Sequence, residues 1–222
     1  MTATPDEAAW TARRERMVQE QLVRRGIADE RVLGALGRVP RHRFLPERVR
    51  DEAYGDHPVS IGEGQTISQP YIVAEMTALA LSATPPLRRV LDVGTGSGYQ
   101  AAVLAELGLQ VVSLERLAAL AERARDTLAE LGYRVDVRVG DGSLGCPDAA
   151  PFCAIVVGAA APEVPTALAE QLRPGGVLVV PVGSRGLQEL TVVRRTPDGF
   201  VRERAGGCVF VPLVGEQGWP ER

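Results

Sequence analysis

The chain of 222 residues is long enough for one domain with a substantial core and a small elaboration. A formal net charge of −3 argues against general nucleic-acid binding by bulk electrostatics, and no apolar run is long enough to span a membrane. Three scattered cysteines and two separated histidines lack the spacing of a metal site or a disulfide framework.

Met1 to Ala9 is polar and acidic, without the basic start and apolar block of a signal peptide, so a cytoplasmic protein with a loose N-terminal tail is expected. Trp10, Met17, Val18 and Leu22 share one face of a helix predicted over Ala8 to Arg25, with Gly26 placed to end it. Asp29 is the N-cap of a short helix carrying Val32, Leu33 and Leu36, which stops before Pro40. Arg41 to Pro46 reads as a solvated basic turn anchored by Phe44. Tyr54 to Pro70 has little periodicity and much hydrogen-bonding capacity, so it reads as a shaped loop, either structural or facing a substrate. Tyr71 to Leu81 returns to helical spacing. Pro85-Pro86 then separates a helical and substrate-loop region, 1–86, from a cofactor-binding α/β domain, 87–222, the two forming one compact unit.

From Val90 onward strands and helices alternate, which predicts a mostly parallel, doubly wound sheet. Strands are expected at Val90 to Val93, Gln110 to Leu114, Val135 to Val139, Ala154 to Val157 and Val177 to Val180. Helices are expected at Tyr99 to Leu107, Leu117 to Leu131 and Val164 to Leu172. The C-terminal part reads as β, with Leu187 to Arg194, a turn at Asp198-Gly199, and a final apolar strand at Cys208 to Val211.

The loop after the first of these strands has glycines at 94, 96 and 98 and leads into a helix, the usual cradle for the polar part of a nucleotide-like cofactor. Glu115 follows Gly96 by nineteen residues, where a carboxylate can accept hydrogen bonds from ribose hydroxyls. Asp141-Gly142 closes the third strand beside the same crevice, where an acid and an amide can reach an adenine edge. Three acidic strand ends, Asp92, Glu115 and Asp141, make a poor phosphate site. They suit S-adenosylmethionine, which is cationic and carries no phosphate.

The run Gly62-Glu63-Gly64-Gln65-Thr66-Ile67-Ser68-Gln69-Pro70-Tyr71-Ile72-Val73-Ala74 resembles the protein-L-isoaspartate (D-aspartate) O-methyltransferase family. Val39 to His42, Gly94 to Ala102, Gly140 to Gly142, Pro181 to Gly183 and Phe210 to Glu216 are similar too. The resemblance implies a Rossmann-like class I methyltransferase that methylates the α-carboxylate of L-isoaspartyl residues in damaged proteins and peptides, the ester then closing to a succinimide. It places the catalytic serine at Ser68 and cofactor residues at Gly94, Gly96, Gly98, Glu115, Asp141 and Gly142. Asp92, Ser97 and Arg116, which flank these positions, are counted with them. Gln65, Thr66, Ile67 and Gln69, around Ser68, are assigned to the substrate. The implied product is S-adenosylhomocysteine; a monomer is expected, and no metal, membrane or nucleic acid is called for.

Two positions depart from the family pattern. Cys153 stands where an acid is usual and Cys146 where an aromatic is common. Two rivals stay open on residues alone: a methyltransferase acting on a small molecule or nucleic acid, and a non-catalytic binding module that keeps the fold.

Overall fold

The computed structural model describes residues 5–221. Met1 to Thr4 of the expected loose tail lie outside the described residues, and the remainder of that tail is already helical, because α1 spans Pro5–Met17. The helix does not continue uniformly to Arg25. It widens into a π turn at Val18–Leu22 and tightens at Val23–Arg25 before Gly26 ends it at a φ of 93°. The π turn's longer repeat brings Leu22 to the buried side with Met17. Helix α2, Glu30–Arg38, starts on Asp29, whose side chain accepts a hydrogen bond from the Arg31 amide. Such a cap contributes about 1 kcal/mol.

The basic turn at 41–46 is not solvated. Arg41 has no exposed surface and His42 is buried at 3%. The Arg41 Nε donates to the Ala53 carbonyl at 2.6 Å, and its guanidinium carbon lies 4.9 Å from the Tyr99 ring centroid. Burial pulls the Arg41 guanidinium down to about 10. His42 stacks on Trp10 at 4.6 Å and contacts the Tyr54 hydroxyl through Nδ1 at 2.9 Å. The Ala53 carbonyl and the Tyr99 ring offset part of the cost of burying the Arg41 charge, while Nη1 and Nη2 are buried without a hydrogen-bond partner among the described residues.

Tyr54 to Pro70 also departs from the loop expectation. Strands β1, Val59–Gly62, and β2, Gln65–Ile67, form a two-stranded antiparallel hairpin. Its turn places Gly62, Glu63 and Gly64 at positive φ, and Glu63 at 54° bears the cost that glycine avoids. Pro70 then occupies the first turn of α3, Pro70–Leu81, where its missing amide donor costs nothing.

The seven-stranded sheet uses β3 Arg89–Val93, β4 Gln110–Glu115, β5 Val135–Val139, β6 Phe152–Val157, β7 Leu172–Gly183, β8 Gln188–Thr196 and β9 Gly199–Cys208. Their order is β5-β4-β3-β6-β7-β8-β9, with the first four pairings parallel and the last two antiparallel. Alternation along the strands sends Val90, Val111, Ala154 and Val177 to one face and Leu91, Val112, Ile155 and Leu178 to the other. The first face packs α3, α4 at Tyr99–Glu106 and α5 at Ala118–Glu130. The second packs α6 at Thr166–Glu170. The cluster on the first face also takes in Met17, Leu22, Leu36 and Phe44, so the N-terminal elaboration shares the sheet's own core.

Several boundaries differ from expectation, α6 and β6 by two residues and β7 and β9 by more. Strand β7 begins at Leu172, across Pro174-Gly175-Gly176, because Phe152 of β6 pairs with it there. The last strand is the polar 199–208, not 208–211. It is an edge paired only with β8 among the described residues, so apolar alternation is not required of it.

Candidate active site

The order of the parallel strands reverses between β3 and β6, and such a switch point opens a crevice at the strands' C-terminal ends. Gly94 leaves β3 and Gly158 leaves β6, with the Gly158 amide donating to the Val93 carbonyl at 2.7 Å. Three connected hollows meet here, all bounded by Thr66 and Gly158. The hairpin β1–β2 and Ser68 overhang the crevice from the N-terminal side.

The first hollow is lined by Gln65, Thr66, Gly94, Gly96, Glu115, Arg116 and Gly142, and roofed by Val211 to Val214. Glu115 Oε2 accepts from the Gly96 amide at 2.9 Å and Oε1 from the Leu117 amide at 3.0 Å. The carboxylate thus fixes the glycine loop against the end of β4, while each oxygen retains acceptor capacity for a diol. Gly142 is required sterically: a Cβ there would lie 2.6 Å from Val93 Cγ1.

The second hollow holds Thr66, Ile67, Ser68, Asp92, Gly94, Gly96 and Ser97 together with Thr95 and Gln100. Asp92 has no exposed surface; its Oδ2 accepts from Ser113 Oγ at 2.6 Å and its Oδ1 is buried without a partner. Burial pushes its carboxyl up to about 7, against the lowering effect of Ser113. An orphaned buried carboxylate oxygen beside a glycine loop suits a cationic group. Together with the Gly142 cradle, it makes the residues present a fit for S-adenosylmethionine, whose amino group and sulfonium are positive.

The third hollow is the outer one. Thr66, Ser68 and Gln69 form its inner end, and α3 and residues 207–211 its walls. Ser68 lines both this hollow and the second. Gln69 is held by its Nε2, which donates to the Asp56 carbonyl at 2.9 Å.

Two residues assigned from sequence stand apart from these walls. Gly98 caps α4 at a φ of 89°, where a Cβ would press on Leu128 and Ala124 of α5 at 3.3–3.4 Å. Asp141 Oδ1 accepts from the Ser143 amide and hydroxyl at 2.9 and 2.7 Å, and Oδ2 from the Glu216 amide at 2.8 Å. Its carboxylate ties the C-terminal tail to the end of β5. Sequence reasoning missed Gly158, Gln100 and the roof Val211 to Val214. Gly158, ending an apolar strand in a Gly-Ala-Ala run, was a usable signal. The roof lies within the Phe210-to-Glu216 match, which gave it no role. Among the described residues, no group of three His, Cys, Asp or Glu is placed to hold a metal ion, and no helix is long and apolar enough to cross a membrane.

The mostly parallel sheet with this glycine loop at its switch point is Rossmann-like, and its solved likenesses make it a class I methyltransferase fold that uses S-adenosylmethionine. Residues 12–218 match the family model for protein-L-isoaspartate(D-aspartate) O-methyltransferase, and the chain belongs to that family. It is 55% identical to a Syntrophobacter fumaroxidans protein-L-isoaspartate O-methyltransferase, over 93% of this chain and 96% of that one. A Marinobacter nauticus protein of the same name is 56% identical over 93% and 95% of the two chains. A solved protein-L-isoaspartate O-methyltransferase superposes with a TM-score of 0.81 at 28% identity, covering 92% of this chain and 67% of that one. A Plasmodium falciparum protein assigned as the same enzyme and solved with S-adenosyl-L-homocysteine gives 0.74 at 25% identity, over 90% and 98% of the chains.

Proposed function

We propose that the chain transfers a methyl group from S-adenosylmethionine to the free α-carboxylate of L-isoaspartyl residues in proteins and peptides, at Ser68. The observation that carries this reading is the position of Ser68 in both the hollow of Asp92 and the glycine loop and the outer hollow. The methyl ester then closes to a succinimide, whose hydrolysis returns some normal aspartate. Residues 1–86 supply Ser68 and the α3 wall of the substrate side, residues 207–211 its other wall, and the glycine loop with the ends of β4 and β5 most of the cofactor side. The enzyme acts as a cytoplasmic monomer on polypeptides and not on nucleic acid; the net charge of −3 supports the last of these.

When bound, S-adenosylmethionine supplies an electrophilic methyl on a sulfonium centre. Glu115, Arg116 and Gly142 hold its adenosine side, with Asp141 positioning Gly142. Asp92, Gly94, Gly96 and Ser97 hold its amino-acid side. The substrate carboxylate, with an ordinary pKa of about 4, is already ionised at neutral pH, so no general base is needed. Its donors must orient it without quenching it. The Ser68 hydroxyl and neighbouring amides suit that task, whereas a bidentate arginine would stabilise the reactant too well. Arg25 lies in the same outer hollow but is occupied, its Nη1 2.9 Å from Asp56 Oδ2. Thr66, Ile67 and Gln69 shape the approach and exclude water, which favours a step in which opposite charges cancel.

Tritiated methyl transfer to an isoaspartyl peptide beside its normal-aspartyl twin tests the proposal. Incorporation into the first alone is expected. Incorporation into neither, or equally into both, would overturn it.

A further inference from the structure

Beyond Ser68 the outer hollow changes character. One wall is the face of α3 formed by Tyr71, Ile72 and Glu75; the other is the segment 207–211. Tyr71 and Glu75 are one helical turn apart on the same face. Among the described residues, two charged side chains line this hollow, Arg25 and Glu75. The Arg25 charge is engaged twice, by Asp56 at 2.9 Å and by the Tyr71 ring, whose centroid is 3.6 Å from the guanidinium carbon. Glu75 forms no ion pair among the described residues; Tyr71 Oη donates to it over a long 3.5 Å. Burial outweighs both Tyr71 and Arg25 and raises the Glu75 carboxyl above its ordinary range. Across the hollow, burial and the Glu75 charge push the Cys208 thiol up to about 11. A half-buried carboxylate whose neighbouring cation, Arg25, is paired with Asp56 instead therefore faces the space next to the reacting position. Such a group is stabilised by an incoming cation and destabilised by an incoming anion.

The neighbours of an isoaspartyl residue held at Ser68 occupy the rest of this hollow. We propose that Glu75 sets the enzyme's charge preference, favouring substrates with a basic residue beside the isoaspartate and penalising acidic ones. The inference rests on the reading of Ser68 as the methylation point.

The test is kcat/KM on isoaspartyl peptides that differ only in a Lys or a Glu directly before or directly after the isoaspartate. The Lys-to-Glu ratio is expected to be about tenfold at one of these positions in the native enzyme. In Glu75→Gln it should fall below about twofold, and in Glu75→Arg it should invert. Each ratio is taken on one preparation, so partial loss of folded enzyme cancels. Methylation with a ratio near one at both positions, or a ratio that Glu75→Gln leaves intact, overturns the role of Glu75 alone. Methylation of none of the peptides, by enzyme that S-adenosylhomocysteine still stabilises against heat, overturns the reaction itself and the inference with it.

Discussion

Asp92 and Ser68 sit on the same hollow and do opposite work. Asp92 is a carboxyl whose folded-state pKa, about 7, lies well above its ordinary value, so the folded protein holds a proton that the unfolded chain releases. Its contribution to stability is therefore full below about pH 4 and is lost as the pH rises through about 7. The cofactor-free Asp92→Asn variant should gain on the native protein across that window. The change in Tm difference is expected to reach at least about 2–4 °C, corresponding to 1 kcal/mol, in thermal scans at pH 5 and pH 8. Ser68→Ala should cut turnover on an isoaspartyl peptide by about 10- to 1000-fold and leave cofactor affinity nearly unchanged. Glu115→Ala should weaken the cofactor first, since it removes an acceptor and also frees the Gly96 amide; titration calorimetry separates the two.

Among the elements, the turn after β5 is the most tightly specified part of the site. Gly142 cannot gain a Cβ without displacing Val93, itself 1% exposed in the core. Gly142→Ala is expected to cost about 1–3 kcal/mol in chemical denaturation, as overpacking does, and to weaken the cofactor with it. Asp141 organises the same turn and holds the Glu216 amide, while Ser143 Oγ accepts from the Gln217 amide at 3.0 Å. Asp141→Ala should speed hydrogen exchange at these two amides before it affects the sheet. The glycine loop, α3 and the helix caps were legible because each depends on a few adjacent residues. The hairpin β1–β2 was not, because its pairing of Val59 with Ile67 and Ser60 with Thr66 follows from a turn through Glu63 at positive φ that sequence does not announce.

At the scale of the molecule, the tail closes the hollow beside the glycine loop. Residues 211–213 bond to Ala160 beyond β6, the Trp219 amide donates to the Leu213 carbonyl at 2.7 Å, and Trp219 Nε1 donates to the Ala160 carbonyl at 3.1 Å. Roof and floor are therefore one connected unit, and a ligand beneath the roof should stabilise the whole. S-adenosylhomocysteine at about a hundredfold excess over its Kd should add about 2.7 kcal/mol, seen as a Tm rise of about 5–10 °C.

The sequence by itself determined the mostly parallel sheet of the α/β half, the glycine loop and the family. All of these are written in short segments whose chemistry depends on near neighbours. Tertiary structure alone decided that Arg41 is buried, since the Ala53 carbonyl and the Tyr99 ring that receive it are remote in the chain. It also decided that Asp141 ties down the tail, that Val211 to Val214 roof the hollow beside the glycine loop, and that Glu75 lines the outer hollow with Ser68. Each of these depends on which distant segment comes to lie opposite, and that is set by packing across the whole fold, not by local spacing.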